Sequence, residues 1–138
     1  MYIRVGLDSA ESHGIEPMAE LVAHGQVAGP DTSLLYQPSN AILLALEHAR
    51  ITVGDLDLFE INEAFAAVVL RFFKDTGVDW SKVNVNGGAM ALGHPIGATG
   101  GMLIGTLLDE LERQDKQIGL VTMCTGGGMG TATIIERI

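Results

Sequence analysis

A chain of 138 residues, 47% of them hydrophobic, has the size of one domain and enough apolar surface for a single sizeable core. Eight Lys and Arg against 17 Asp and Glu give a formal charge of −9 with no basic run, which excludes a nucleic-acid or anionic-membrane surface. Cys124 is the one cysteine, so neither an internal disulfide nor a Cys-rich zinc site can form; nothing reads as a signal peptide, and a reducing, cytoplasmic setting is expected.

After an ambiguous first 19 residues, Glu20 to Val27 reads as a strand, ended by the turn chemistry of Gly29-Pro30-Asp31. Pro38 suits the first turn of a helix over Ser39 to Arg50, where Ile42, Leu46 and Ala49 form an apolar stripe. Leu56 to Ile61 alternates like a strand, and Glu63 to Thr76 reads as a helix closed by Gly77. Val83 to Val85 is a short strand, residues 86–97 a glycine-rich loop, and Ala98 to Gln114 a helix whose apolar first half belongs inside. Ile118 to Cys124 and Thr131 to Ile138 are β-rich and joined by a glycine turn short enough to make them antiparallel neighbours.

The uncharged run from Val83 to Leu108 is no membrane span, because Gly87-Gly88, His94-Pro95 and Gly100-Gly101 interrupt any apolar helix of about 20 residues. With no repeat and no linker, the order is βαβαβαββ. That predicts an α/β fold with a mixed, largely parallel five-stranded sheet and helices on both faces. Ligands of such sheets meet the carboxyl ends of the strands. Those ends are Asn62, the loop Asn86 to Gly97 and the turn after Cys124.

Three places there could carry chemistry. Asn62, between a strand and a helix, is either an N-cap or a group that orients a water or donates to an oxyanion. His94, in a loop dense in Gly and Asn, is either a satisfied core histidine or a side chain projected into a crevice. Cys124 is either a small buried hydrophobe or an acid, base or nucleophile beside the open N–H groups of three glycines. Gly126 to Thr131 does not match a phosphate loop. One His and one Cys are no zinc site, so no metal is expected.

Taken together, Asn62-Glu63-Ala64-Phe65, the stretch 84–100 (NVNGGAMALGHPIGATG) and Cys124 to Gly130 (CTGGGMG) resemble the thiolase superfamily in order and spacing over residues 20 to 138. The resemblance implies a thiolase C-terminal domain at 20–138, preceded by the tail of an N-terminal domain at 1–19, with Met1 to Leu7 as one strand. It implies that His94 activates a nucleophilic cysteine and helps form an oxyanion hole that Asn62 completes through a held water. Cys124 is then the second catalytic thiol, and the Gly126 N–H belongs to a second oxyanion hole.

The implied substrate is a coenzyme A thioester, with no bound prosthetic group, and the reaction is acyl transfer between CoA and a 3-ketoacyl-CoA. Asn62-Glu63-Ala64-Phe65 sets the chain apart from sterol-carrier-type thiolases, and Cys124 from ketoacyl synthases, which use a second His there. Two departures stand out. The nucleophilic cysteine and the loop domain that holds CoA are absent, so the chain reads as truncated or split, inactive alone, and in need of a nucleophile-bearing partner half or a second subunit. Gly29 to Asn40 and Thr125 also differ from the common thiolase pattern, leaving acyl length open. The alternative is a non-catalytic structural or subunit-binding remnant.

Overall fold

Consecutive apolar residues on three strands face opposite ways. Phe59, Leu120 and Ile134 join one hydrophobic cluster, whereas their neighbours Leu58, Val121 and Ile135 join another. A sheet built from such pairs must be covered on both faces. The computed structural model, which describes residues 4–32 and 36–138, has that arrangement. Its strands are β1 (Ala19–Ala28), β2 (Leu58–Ile61), β3 (Ile118–Thr125) and β4 (Met129–Arg137). Its helices are α1 (Leu7–Ser12), α2 (Gln37–Ala49), α3 (Ala66–Thr76), α4 (Ala89–Leu92) and α5 (Thr99–Arg113).

The sheet runs β1-β4-β3-β2. Helices α2 and α3 supply Ile42, Leu46, Val69 and Phe72 to one face, and α5 supplies Leu103, Leu107 and Leu111 to the other. Each such side chain, once withdrawn from water, stabilises the fold by about 1.5–3 kcal/mol. Close approach needs small residues: a Cβ on Gly25 would lie 2.3 Å from the Ala41 carbonyl oxygen, so α2 rests directly on β1. Among the described residues no helix is long and apolar enough to cross a membrane.

Two sequence expectations are corrected. The described sheet has four strands, not five. Residues 83–85 make only one parallel bridge, Val83 to Phe59, because Asn84 turns to φ 46°, outside extended space. The sheet is mixed, as expected, but not largely parallel: β2–β3 is its parallel pair, while β3–β4 and β1–β4 are antiparallel. The long β1 crosses over to pair with β4 along its whole length, from Ala19↔Arg137 to Ala28↔Met129, a contact that local pattern does not encode.

Boundaries shift in instructive ways. The helix expected from Glu63 begins at Ala66, so Asn62 is not its N-cap; Phe65 holds that position with no side-chain bond. Gly77 does close α3, at φ 67°. Within the glycine-rich loop the short α4 forms before His94. Of the strand read over Met1 to Leu7, residues 1–3 lie outside the described residues, 4–6 are irregular, and Leu7 begins α1.

Candidate active site

The parallel pair β2–β3 ends at one edge of the sheet, and the pairing extends a residue past β2: the Asn62 N–H donates to the Thr122 carbonyl at 3.0 Å. That bond fixes Asn62, which is fully buried. Strand alternation turns its side chain to the face covered by α5. There Nδ2 donates to Nε2 of His94 at 3.3 Å, across a sequence separation of 32. Asn62 Oδ1 is buried with no hydrogen-bond partner among the described residues, which costs about 1–3 kcal/mol for as long as no donor reaches it.

His94 is held from its other side as well. Its Nδ1 lies 2.7 Å from the Thr99 hydroxyl, and that hydroxyl, buried at the start of α5, donates to the Pro95 carbonyl at 3.0 Å. A hydroxyl has one proton to give. Since Pro95 receives it, Thr99 accepts from His94, which assigns the proton to Nδ1 and leaves the Nε2 lone pair facing Asn62. Pro95 disfavours a helical backbone at His94, and Gly93 at φ 92° turns the chain out of α4 to reach it. The ring is oriented by buried groups while the residue itself stays exposed.

Cys124 sits at the same sheet edge, two residues beyond the Thr122 that binds Asn62, or about 7 Å along β3. Its neighbour across the ladder is Gly130, and a Cβ on Gly130 would meet the Gln37 backbone at 2.5 Å, so this pair faces α2. Asn62 and Cys124 therefore leave the sheet on opposite faces, and no hydrogen bond joins Cys124 to Asn62 or His94 among the described residues. The thiol is half-buried, and burial pushes its pKa up. Gly126 lies in the exposed β3–β4 turn, with nothing within 4 Å of where a Cβ would stand. Gly127 and Gly128 supply the positive φ of the turn, 91° and 81°.

Three more residues bear on the site that motif reading did not single out. Asn84 binds both backbone groups of Ile61, Glu63 accepts from Asn84 and from the Met90 N–H, and Thr99 holds His94. A signal for each was present: an Asn between two β-branched residues, a carboxylate next to Asn62, and a hydroxyl five residues after His94. Beneath them Glu60, on the α5 face of β2, is buried, and its carboxyl is pushed up to about 8 by that burial and by the nearby Glu63 and Glu110. Among the described residues no three His, Cys, Asp or Glu side chains are placed to hold a metal ion.

The sequence profile described as "Thiolase, C-terminal domain" matches residues 15–137. The chain belongs to the thiolase family, within its C-terminal domain. It is 49% identical over 128 residues to a probable acetyl-CoA acetyltransferase of Mycolicibacterium smegmatis, covering 93% of this chain and 33% of that one. It is 48% identical over 136 residues to a 3-ketoacyl-CoA thiolase of Aeromonas hydrophila, covering 95% and 35%. The crystal structure of the Bacillus anthracis acetyl-CoA acetyltransferase superposes with a TM-score of 0.90 at 39% identity, over 96% of this chain and 34% of that one. The chain thus spans about a third of the length of these thiolase relatives.

Proposed function

We propose that this chain supplies the acid–base and oxyanion-binding part of a thiolase site, for reversible acyl transfer between coenzyme A and a 3-ketoacyl-CoA. One observation carries the proposal: the hydrogen-bonded series Thr99–His94–Asn62, in which two buried side chains hold an exposed imidazole with its Nε2 beside an unpaired amide oxygen at the sheet's carboxyl edge.

In thiolysis a cysteine thiolate adds to the 3-keto carbon. With Cys124 the one cysteine of these 138 residues, that nucleophile comes from elsewhere, in an N-terminal half or a second subunit. His94 Nε2 exchanges its 3.3 Å bond from Asn62 Nδ2 for the nucleophile's proton and, once protonated, donates to the oxygen on which charge develops; a water held on Asn62 Oδ1 is the second donor. Each such donor is worth on the order of 3 kcal/mol. Cleavage of the Cα–Cβ bond releases the enolate of the shorter acyl-CoA, whose carbon takes the proton of Cys124. A thiol raised by burial is present as S–H and suited to that donation. The Cys124 thiolate then takes the proton of the incoming CoA thiol as its sulfur attacks the acyl-enzyme, with the Gly126 N–H on the thioester oxygen. Residues 1–19 are read as the end of a preceding domain; α1 buries only Ala10.

The test is a chimera in which this chain replaces the matching C-terminal third of the Bacillus anthracis enzyme. Thiolysis of acetoacetyl-CoA is expected from the chimera and not from the 138-residue chain alone. His94→Ala in the chimera should lower kcat at least ~100-fold. A folded chimera without turnover, or one indifferent to His94→Ala, would return the chain to a non-catalytic, subunit-binding role.

A further inference from the structure

We infer that Glu63 is a positioning residue that fixes Asn62 and the His94 loop relative to each other; the inference rests on the acyl-transfer reading for its consequence, but not for its geometry. Glu63 follows Asn62 directly and lies outside α3, so its carboxylate is free to turn away from the helix it precedes. Oε1 accepts from Asn84 Nδ2 at 3.0 Å, and Oε2 accepts from the Met90 N–H at 2.9 Å. The first bond leads back to β2: Asn84 also accepts the Ile61 N–H at 2.7 Å and donates to the Ile61 carbonyl at 3.0 Å. The second leads forward, because Met90 is in α4, whose end is joined to His94 by Gly93 alone. One carboxylate therefore ties the strand that ends at Asn62 to the short helix that delivers His94.

The space around the clasp is matched to it. A Cβ on Gly88 would stand 2.2–2.4 Å from the Glu63 carboxyl atoms, so glycine at 88 is what lets the carboxylate lie against the α4 entrance. The chemistry is matched too. Asn84 cannot flip its amide, since its oxygen is committed to the Ile61 N–H and its nitrogen to the Ile61 carbonyl. Both partners of Glu63 are thus donors, and only a group with two acceptor oxygens satisfies them. Glutamine is nearly isosteric but presents one acceptor and one donor, so either Asn84 or Met90 must lose its bond.

Glu63→Gln separates positioning from mere stability. In the 138-residue chain, labelled with ¹⁵N, His94 should show a fixed Nδ1–H tautomer, and Glu63→Gln should shift its ring nitrogens and the Asn62 side-chain amide while the dispersed backbone spectrum persists. Gly88→Ala, which crowds the carboxylate without removing it, should move the same resonances and serves where Glu63→Gln does not fold. In the active chimera, Glu63→Gln should lower kcat about tenfold with KM within twofold, since misplacement of reacting groups falls on the chemical step. In an Asn62→Ala background it should have little further effect. Folded variants that leave the Asn62 and His94 resonances as in the parent would overturn the clasp. The spectra do not require turnover, so an inactive chimera would refute the acyl-transfer reading and leave the clasp to be judged on its own signals.

Discussion

Asn84 stands beside Ile61 as a strand partner would, but it offers its side chain in place of its backbone: Oδ1 takes the Ile61 N–H at 2.7 Å and Nδ2 gives to the Ile61 carbonyl at 3.0 Å. The amide mimics a peptide group at the exposed edge of the parallel pair, where the last residue of β2 would otherwise keep two buried backbone groups unpaired. Its backbone pays a conformational cost at φ 46°, which Asn tolerates better than other side chains. Asn84→Ala should lower unfolding free energy by about 3 kcal/mol, combining unsatisfied groups with the left-handed backbone. Asn84→Gly keeps the first loss and relieves the second, so it should sit about 1 kcal/mol above the Ala variant in urea titrations. Equal midpoints for the two would refute the backbone part of this account.

Glu60 makes stability depend on pH in the direction opposite to a salt-bridged carboxylate. Burial first, and the Glu63 and Glu110 charges second, raise its pKa from 4.5 to about 8, so the folded state holds a proton that the unfolded chain releases. Below 4.5 both states are protonated and the group is neutral in its effect. As pH rises from 4.5 toward 8 the unfolded state binds fewer protons than the native state, and stability falls with pH until both are ionised. Chemical denaturation across that range should show the decline, and Glu60→Gln should flatten it. A parent protein whose stability climbs steadily through the same range would rule out a protonated Glu60.

How much of this could be read beforehand differs by residue. That Asn62 and Cys124 end strands and that His94 lies in a loop beside them was legible because Gly, Asn and Pro around them mark loops at a sheet edge. Asn62 as a helix cap was a wrong competing reading: the capping rule sees a polar residue before an apolar run, and cannot see that α3 starts only at Ala66, beyond the reach of the Asn62 side chain as an N-cap. The strand at 83–85 failed for a related reason, since β-branched residues flank an Asn whose side chain took over the pairing. The place of β1 beside β4 was not legible at all, as it rests on pairing between segments at opposite ends of the chain, from Ala19↔Arg137 to Ala28↔Met129, which no local signal encodes. Nor was the divergence of Asn62 and Cys124 to opposite faces. It depends on register across two ladders.

Cys124 should be a sluggish thiol in the folded chain. Its pKa is raised by burial, so less thiolate is present near neutral pH than in an unfolded peptide, and the thiolate is the reactive form. With a disulfide reagent at pH 7.5 the native protein should react at least ~10-fold more slowly than the urea-unfolded chain. A shift of pH upward should speed the reaction without levelling off near 8. Rapid modification of the native protein, at the unfolded rate, would show that the sulfur is neither shielded nor raised, and would remove the basis for proposing it as the proton donor.

The apolar first half of α5 lies inside on its sheet side and is open on its other side. Leu103 and Leu107 face the sheet, but Met102 is 40% exposed and lies in an open groove with Gly97, Ala98, Gly101, Gly105 and Thr106, closed at one end by Asp109. Nearby in sequence Met90 and Ile96 are 67% and 85% exposed. Small residues along one side of α5 would let a second backbone or helix approach closely, and apolar side chains at its rim gain from being covered. Covering ~400 Å² of such surface is worth on the order of 10 kcal/mol, which is comparable with the whole stability of a domain. At micromolar concentration the chain should therefore sediment as a species heavier than 14.6 kDa, or bind a separately expressed thiolase N-terminal half. Met102→Asp, which adds a second carboxylate beside Asp109 at the apolar centre of the groove without touching the Asn62–His94 pair, should weaken either association at least ~10-fold while the chain stays folded. A parent chain that remains a stable monomer and ignores the N-terminal half would show that the groove on α5 has no partner to accept.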